Sequence, residues 1–90
     1  MMLGRSVEQA EQAFIALYRR RQAGLYRFAL RMTGSAAAAE DAVQETFLTL
    51  MRRAASFDVA RGSVSAFLYG ITRNCVRRGF ERDGALREVA

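Results

Sequence analysis

Glu40, Asp41 and Glu45 fall within six positions of the run EDAVQETF, residues 40–47, in a chain whose formal net charge is +5. Carboxylates at that spacing could ligate a cation, share a proton as an acid–base pair, or meet a basic partner. The sequence has no His and a single Cys. Proton transfer would therefore rest on carboxylates, Tyr or Arg, an unusual set for a small domain. No imidazole or thiol cluster offers zinc ligands. A harder cation would want loop oxygens as well, and these acids lie on one helical stretch. The expectation is a protein without catalysis, cofactor or metal, leaving recognition as the chemistry of this run. Asp41, Gln44, Glu45 and Leu48 stand at i, i+3, i+4 and i+7, one face of a helix, with Arg52 a turn further. Leu48 is an apolar side chain among polar neighbours, where a helix facing only water would carry a charge. An apolar anchor ringed by polar groups is a common build for a small protein interface. Carboxylates four residues apart repel by a few tenths of a kcal/mol, which a partner bearing Arg or Lys would relieve. Glu40 and Asp41 also suit the first turns of their helix through its dipole. A merely solvated face therefore stays open beside the docking stripe.

A second constellation lies downstream. Tyr69, Arg73, Arg77 and Phe80 climb one side of a helical stretch, flanked by Asn74 and Arg78. Arg neutralises phosphate while an aromatic face accepts a stacked base, at ~1–3 kcal/mol per base. Duplex DNA hides its base faces, so the pattern suits a single or opened strand. The alternative is that Tyr69 and Phe80 pack on the first helix and the arginines only keep the surface soluble. Before this stretch, FDVARGS brings Asp58, Arg61 and Ser63 into a loop whose short polar groups could line a pocket.

The elements that must position these residues are helical throughout. Proline is absent, alanine is abundant, and no segment alternates apolar and polar residues over the length of a strand. Ser6 can cap a first helix, with Gln9 as a weak capping box. Phe14, Tyr18, Leu25, Phe28 and Met32 recur along it at helical spacing, and Gly24 is expected to bend or break it. Gly34 is the natural stop. Ser35 can cap a second helix running to about Ala55, with Ala36, Ala39, Val43, Phe47, Leu50 and Ala54 as its core stripe. The third helix is expected from about Val64 to Arg82, with Val64, Phe67, Leu68, Ile71 and Cys75 inward. Gly84 should end the order. Residues 1–5 and 84–90 read as flexible tails. The fold expected is all-α, a compact bundle of three main helices.

Ninety residues suit one small domain that buries about 60% of its unfolded surface. A lone Cys makes no internal disulfide. No leader pattern opens the chain, and no apolar run approaches the ~20 residues of a membrane span. The expectation is a cytoplasmic protein without a membrane partner. All fourteen basic residues are Arg and the pI is about 10.6, which favours an anionic partner, most often nucleic acid.

The ordered set LYRFALRMTG, AEDAVQETF and FD…GS…FLYGITRN resembles region 2 of bacterial sigma factors of the extracytoplasmic-function group, over about Ala13 to Arg82. The resemblance implies a module that docks on core RNA polymerase and recognises and melts the promoter minus-ten element. Asp41, Gln44, Glu45 and Leu48, with Arg52 beyond them, would meet a basic coiled coil of the polymerase's largest subunit. Asp58, Arg61, Ser63, Ser65, Tyr69, Arg73, Asn74, Arg77 and Arg78 would hold the opened non-template strand and an unstacked base. An anti-sigma factor is a further partner the resemblance allows. The chain departs from the family in carrying Phe67 where Trp is frequent and Gly70 where a basic residue is frequent. It also ends at Ala90, without the helix-turn-helix domain of a complete member, so an excised fragment is expected. Two other readings stay open. One is a stand-alone decoy that occupies polymerase or a sigma regulator. The other is a general single-strand-binding helical protein.

Overall fold

The computed structural model describes the backbone of residues 2–53 and 63–89, and the side chains of 8–53 and 63–84. Three helices account for them: α1 (Met2–Thr33), α2 (Ala36–Arg53) and α3 (Val64–Val89). No strand occurs among the described residues. Each helix packs against the other two.

The α1–α2 corner follows from three consecutive residues. Gly34 takes a φ of 66°, left-handed backbone that costs any residue with a Cβ about 1–2 kcal/mol. Its N–H donates to the Leu30 carbonyl at 2.8 Å. The Thr33 hydroxyl donates to the Ala29 carbonyl at 2.9 Å, and its oxygen accepts the Ser35 N–H at 3.2 Å. Ser35 then caps α2, its Oγ accepting the Ala38 N–H at 3.2 Å. The stop and the cap both fall where the sequence places them.

The boundaries elsewhere differ from expectation. α1 starts at Met2 rather than after a Ser6 cap, and runs unbroken through Gly24. α3 continues past Gly84 to Val89, so the stretch expected as a loose tail is helical. One Gly costs a helix only about 1 kcal/mol relative to Ala, which the flanking turns offset. The end of α2 beyond Arg53, with Ala54, lies outside the described residues.

The core has two adjoining parts. At the α1–α2 corner, Ala29, Ala39, Ala42, Ile71, Cys75 and Val76 are buried. Small side chains there let three helix backbones approach closely. Toward the other end, Leu25, Val43, Phe47, Leu50 and Leu68 form the larger-residue half, with Phe14 and Tyr18 meeting Phe47 edge-on at 6.0 and 4.8 Å. Ala36, expected inside, is exposed, and Thr46 and Thr72 are fully buried in its stead. Their hydroxyl oxygens lie 2.8 Å apart across α2 and α3. Each also approaches its own helix's carbonyl, Thr46 to Ala42 at 2.6 Å and Thr72 to Leu68 at 2.9 Å. Two hydroxyl protons serve three contacts, so two of them are bonds at any moment. The pair keeps both hydroxyls satisfied away from water and fixes the register of α2 on α3.

Candidate functional site

α2 lies between α1 on one flank and α3 on the other, which leaves its third side outward. Asp41, Gln44 and Leu48 stand on that side, all exposed. Leu48 keeps 55% of its surface in water, although Phe47 beside it keeps 4%. The helical period alone explains the contrast, since neighbours on a helix point about 100° apart. The exposed apolar surface extends beyond Leu48. Met51 is 61% exposed one helical step further, and Ile15 and Tyr18 of α1 are 47% and 38% exposed. Tyr18 lies on Phe47 and lines a shallow pocket with Glu40 and Gln44, so it flanks α2 on the Gln44 side. Leu48 and Met51 are thus exposed apolar side chains on the helix that also exposes Glu40, Asp41 and Gln44.

Glu45 turns the other way. It is half-buried, and Arg78 of α3 reaches it at 3.3 Å. Arg78 also donates toward the Cys75 Sγ at 3.4 Å. Contact with Cys75 first, and the charge of Glu45 second, raise the Arg78 pKa above its ordinary value. Arginine is charged at every physiological pH regardless, so nothing titrates here. Arg78, expected to flank the outer row of α3, is exposed, and its guanidinium reaches across the α2–α3 seam to Glu45. The acidic and basic surfaces therefore adjoin through Glu45 and Arg78 and are not isolated from one another.

Arg52 is exposed one turn beyond Leu48. It also lines a groove with Thr49, Arg53, Asn74, Arg77 and Arg78. On α3, Arg73, Asn74, Arg77 and Phe80 are exposed, with Phe80 keeping 49% of its surface in water. Tyr69 is not among them. It is half-buried against α1, its ring 5.1 Å from that of Phe28 and nearly perpendicular to it. Of the two alternatives for the aromatics, packing on the first helix holds for Tyr69 and exposure for Phe80.

The Tyr69 placement explains Gly24. A Cβ built on Gly24 would stand 2.8 Å from the Tyr69 hydroxyl oxygen. The glycine is a close-approach site, not a break. Gly24→Ala is expected to destabilise the domain, because the ring must move. In a Tyr69→Phe background the same change should add up to about 1 kcal/mol through helix propensity. Urea midpoints of the four proteins check this, and an equal effect of Gly24→Ala in both backgrounds contradicts the contact.

Ser63 and Ser65 open α3. Ser63 is its N-cap, with the Ala66 N–H donating to Oγ at 3.1 Å and the Phe67 N–H to its carbonyl at 3.1 Å. Ser65 is half-buried. Phe67 packs against both halves of the core, and the Arg53 guanidinium lies 5.7 Å above its ring. At Gly70 a Cβ would meet nothing within 4 Å, so the position is open surface. Asp58 and Arg61 lie outside the described residues. Among the described residues no cluster of three His, Cys, Asp or Glu could hold a metal ion. Among the same residues no helix is long and apolar enough to cross a membrane.

The middle helix of the bundle thus exposes Asp41, Gln44 and Leu48, and the last helix exposes Arg73 and Arg77. The family model for Sigma-70 region 2 matches residues 17–85, and the chain belongs to that family. The chain is also 41% identical over 68 residues to the ECF RNA polymerase sigma factor SigL of Mycobacterium tuberculosis strain H37Rv. The SigL proteins of strains CDC 1551 and Erdman match at the same identity. These alignments cover 74% of this chain and 38% of the relatives, so the chain spans well under half their length. The similarity supports placing this region 2 domain in the extracytoplasmic-function group. No solved structure matches the chain.

Proposed function

We propose that this domain is the promoter-recognition module of a sigma factor, binding core RNA polymerase through α2 and opened promoter DNA through α3 during transcription initiation. The observation that carries the reading is the outward Leu48 beside Asp41 and Gln44, on a helix whose neighbouring residues are core. A surface of that kind wants a partner with an apolar helix face and basic flanks, and membership of the region 2 family makes a polymerase coiled coil the partner of choice. Arg73, Asn74, Arg77 and Phe80 then face the strand, Arg on phosphates and Phe80 as a stacking platform. The segment bearing Asp58 and Arg61, which lies outside the described residues, would take the unstacked base of the minus-ten element. Holding that base must offset an unstacking cost of a few kcal/mol. The domain performs no covalent step. It works with polymerase in the cytoplasm.

The test is strand discrimination in the presence of core enzyme. Core polymerase mixed with the domain is expected to retain a non-template oligonucleotide carrying the minus-ten element over a scrambled one of equal composition. Equal retention of the two strands contradicts promoter recognition and favours general single-strand binding.

A further inference from the structure

We propose that α1 carries a self-association face, on which a second copy of this chain packs antiparallel with the two helices crossing at Ile15. Self-association of this kind needs neither polymerase nor DNA.

Glu8, Glu11, Ile15, Tyr18, Arg19 and Gln22 share one side of α1, and all six are exposed. Every described residue from 8 to 13 is exposed, so no described element of the bundle covers this end of the helix. Ile15 and Tyr18 keep 47% and 38% of their surface in water. Single exposed apolar side chains are ordinary on a protein surface. The order of the charges around Ile15 is not. Glu11, Ile15 and Arg19 stand at i, i+4 and i+8, on one ridge of the helix. An acid and a base assist their own helix when they are four residues apart. These two are eight apart, about 12 Å along the axis, too far to meet one another. Neither has an ion pair among the described residues. The helix dipole does not explain them either, since it acts on the first and last turns and α1 runs from Met2 to Thr33.

The row is its own complement. A two-fold axis through Ile15 sets each residue against the one equally far on the other side of Ile15 in the second copy. Glu11 then meets the partner's Arg19, Arg19 meets the partner's Glu11, and the two Ile15 side chains meet at the centre. Glu8 falls opposite the partner's Gln22. Glu11 and Arg19 each lie about 6 Å from the crossing point, within reach of long side chains. A parallel pair would set like charges side by side, and their repulsion disfavours it. An unrelated protein would have to match this order by chance, whereas a second copy matches it by symmetry. Exposed ion pairs are weak and the row spans only about four turns, so the dimer is weak and reversible.

Sedimentation equilibrium of the full chain at low salt tests this, because salt screens exposed pairs. The weight-average mass should rise from the 10.1 kDa of one chain toward twice that value as concentration increases. Glu11→Arg and Arg19→Glu should each weaken self-association about tenfold or more, since each turns two symmetric attractions into two repulsions. The double variant Glu11→Arg/Arg19→Glu should restore it, because reversing both charges keeps the row complementary. Ile15→Asp should abolish it. All three positions are exposed, so folding is spared, and circular dichroism verifies this. Leu48→Asp should associate like the wild type, which separates this face from the outer side of α2. A chain that stays at 10.1 kDa at every concentration overturns the second copy as the occupant. Wild-type association in both single variants, or no recovery in the double variant, overturns the antiparallel pairing. Loss of association in Leu48→Asp but not in Ile15→Asp overturns the assignment to α1.

Discussion

Asp41→Arg combined with Leu48→Asp is expected to reduce capture of core polymerase roughly hundredfold or more while leaving helix content unchanged. The magnitude follows from the site. An apolar anchor buried at the centre of an interface costs about 2 kcal/mol or more when lost, and a reversed charge beside it adds repulsion against a basic partner. A hundredfold is about 2.7 kcal/mol, within reach of the two changes together. Folding should be spared, because Asp41 is exposed and Leu48 already keeps 55% of its surface in water. Glu45 is left untouched on purpose. Its carboxylate holds Arg78, so reversing it would disturb the α2–α3 seam along with any docking surface. A pull-down with titrated polymerase reads the effect, and capture equal to wild type removes α2 as the docking helix.

One residue away the expected result is of another kind. Phe47→Ala should cost about 3–5 kcal/mol of stability. Phe47 is 4% exposed and carries the edge-on contacts of Phe14 and Tyr18, so its loss opens a cavity where α1 meets α2. Small domains have about 5–15 kcal/mol in total, and one of 90 residues sits near the lower end. A large share of the protein would then be unfolded at physiological temperature. Urea unfolding followed at 222 nm measures it. A midpoint close to that of Leu48→Ala would contradict the burial of Phe47 beside an outward Leu48.

The sequence was most legible where one local rule decided the outcome. Gly34 and Ser35 announce a stop and a cap, and both do those jobs through contacts spanning four residues or fewer. The outward turn of Leu48 needed only the period of a helix. What escaped depended on partners distant in sequence. Gly24 reads locally as a weak helix former, and its use appears only once Tyr69, 45 positions on, lies across it. Tyr69 itself carried two readings because a helix facing solvent and a helix flanking α1 share one spacing. Thr46 and Thr72 carry no local signal of burial, since a lone hydroxyl is costly to bury. A matched pair is not, and no local pattern reveals the match. Arg52 and Arg78 were assigned by row along single helices. The seam between α2 and α3 adds contacts that such rows do not show, joining Arg78 to Glu45 and placing Arg52 and Arg77 on one groove.

The central claim is a division of labour between α2 and α3, which a single crossed measurement addresses. Polymerase capture and anisotropy of a labelled minus-ten non-template strand are read on the same two variants, Asp41→Arg/Leu48→Asp and Arg73→Gln/Arg77→Gln. The first variant should lose polymerase and keep the free strand. The second should keep polymerase and bind the strand more weakly, with a salt slope flatter by about 1.4. Loss of both activities in each variant, at unchanged helix content, would mean that one undivided surface does both jobs and would contradict the account.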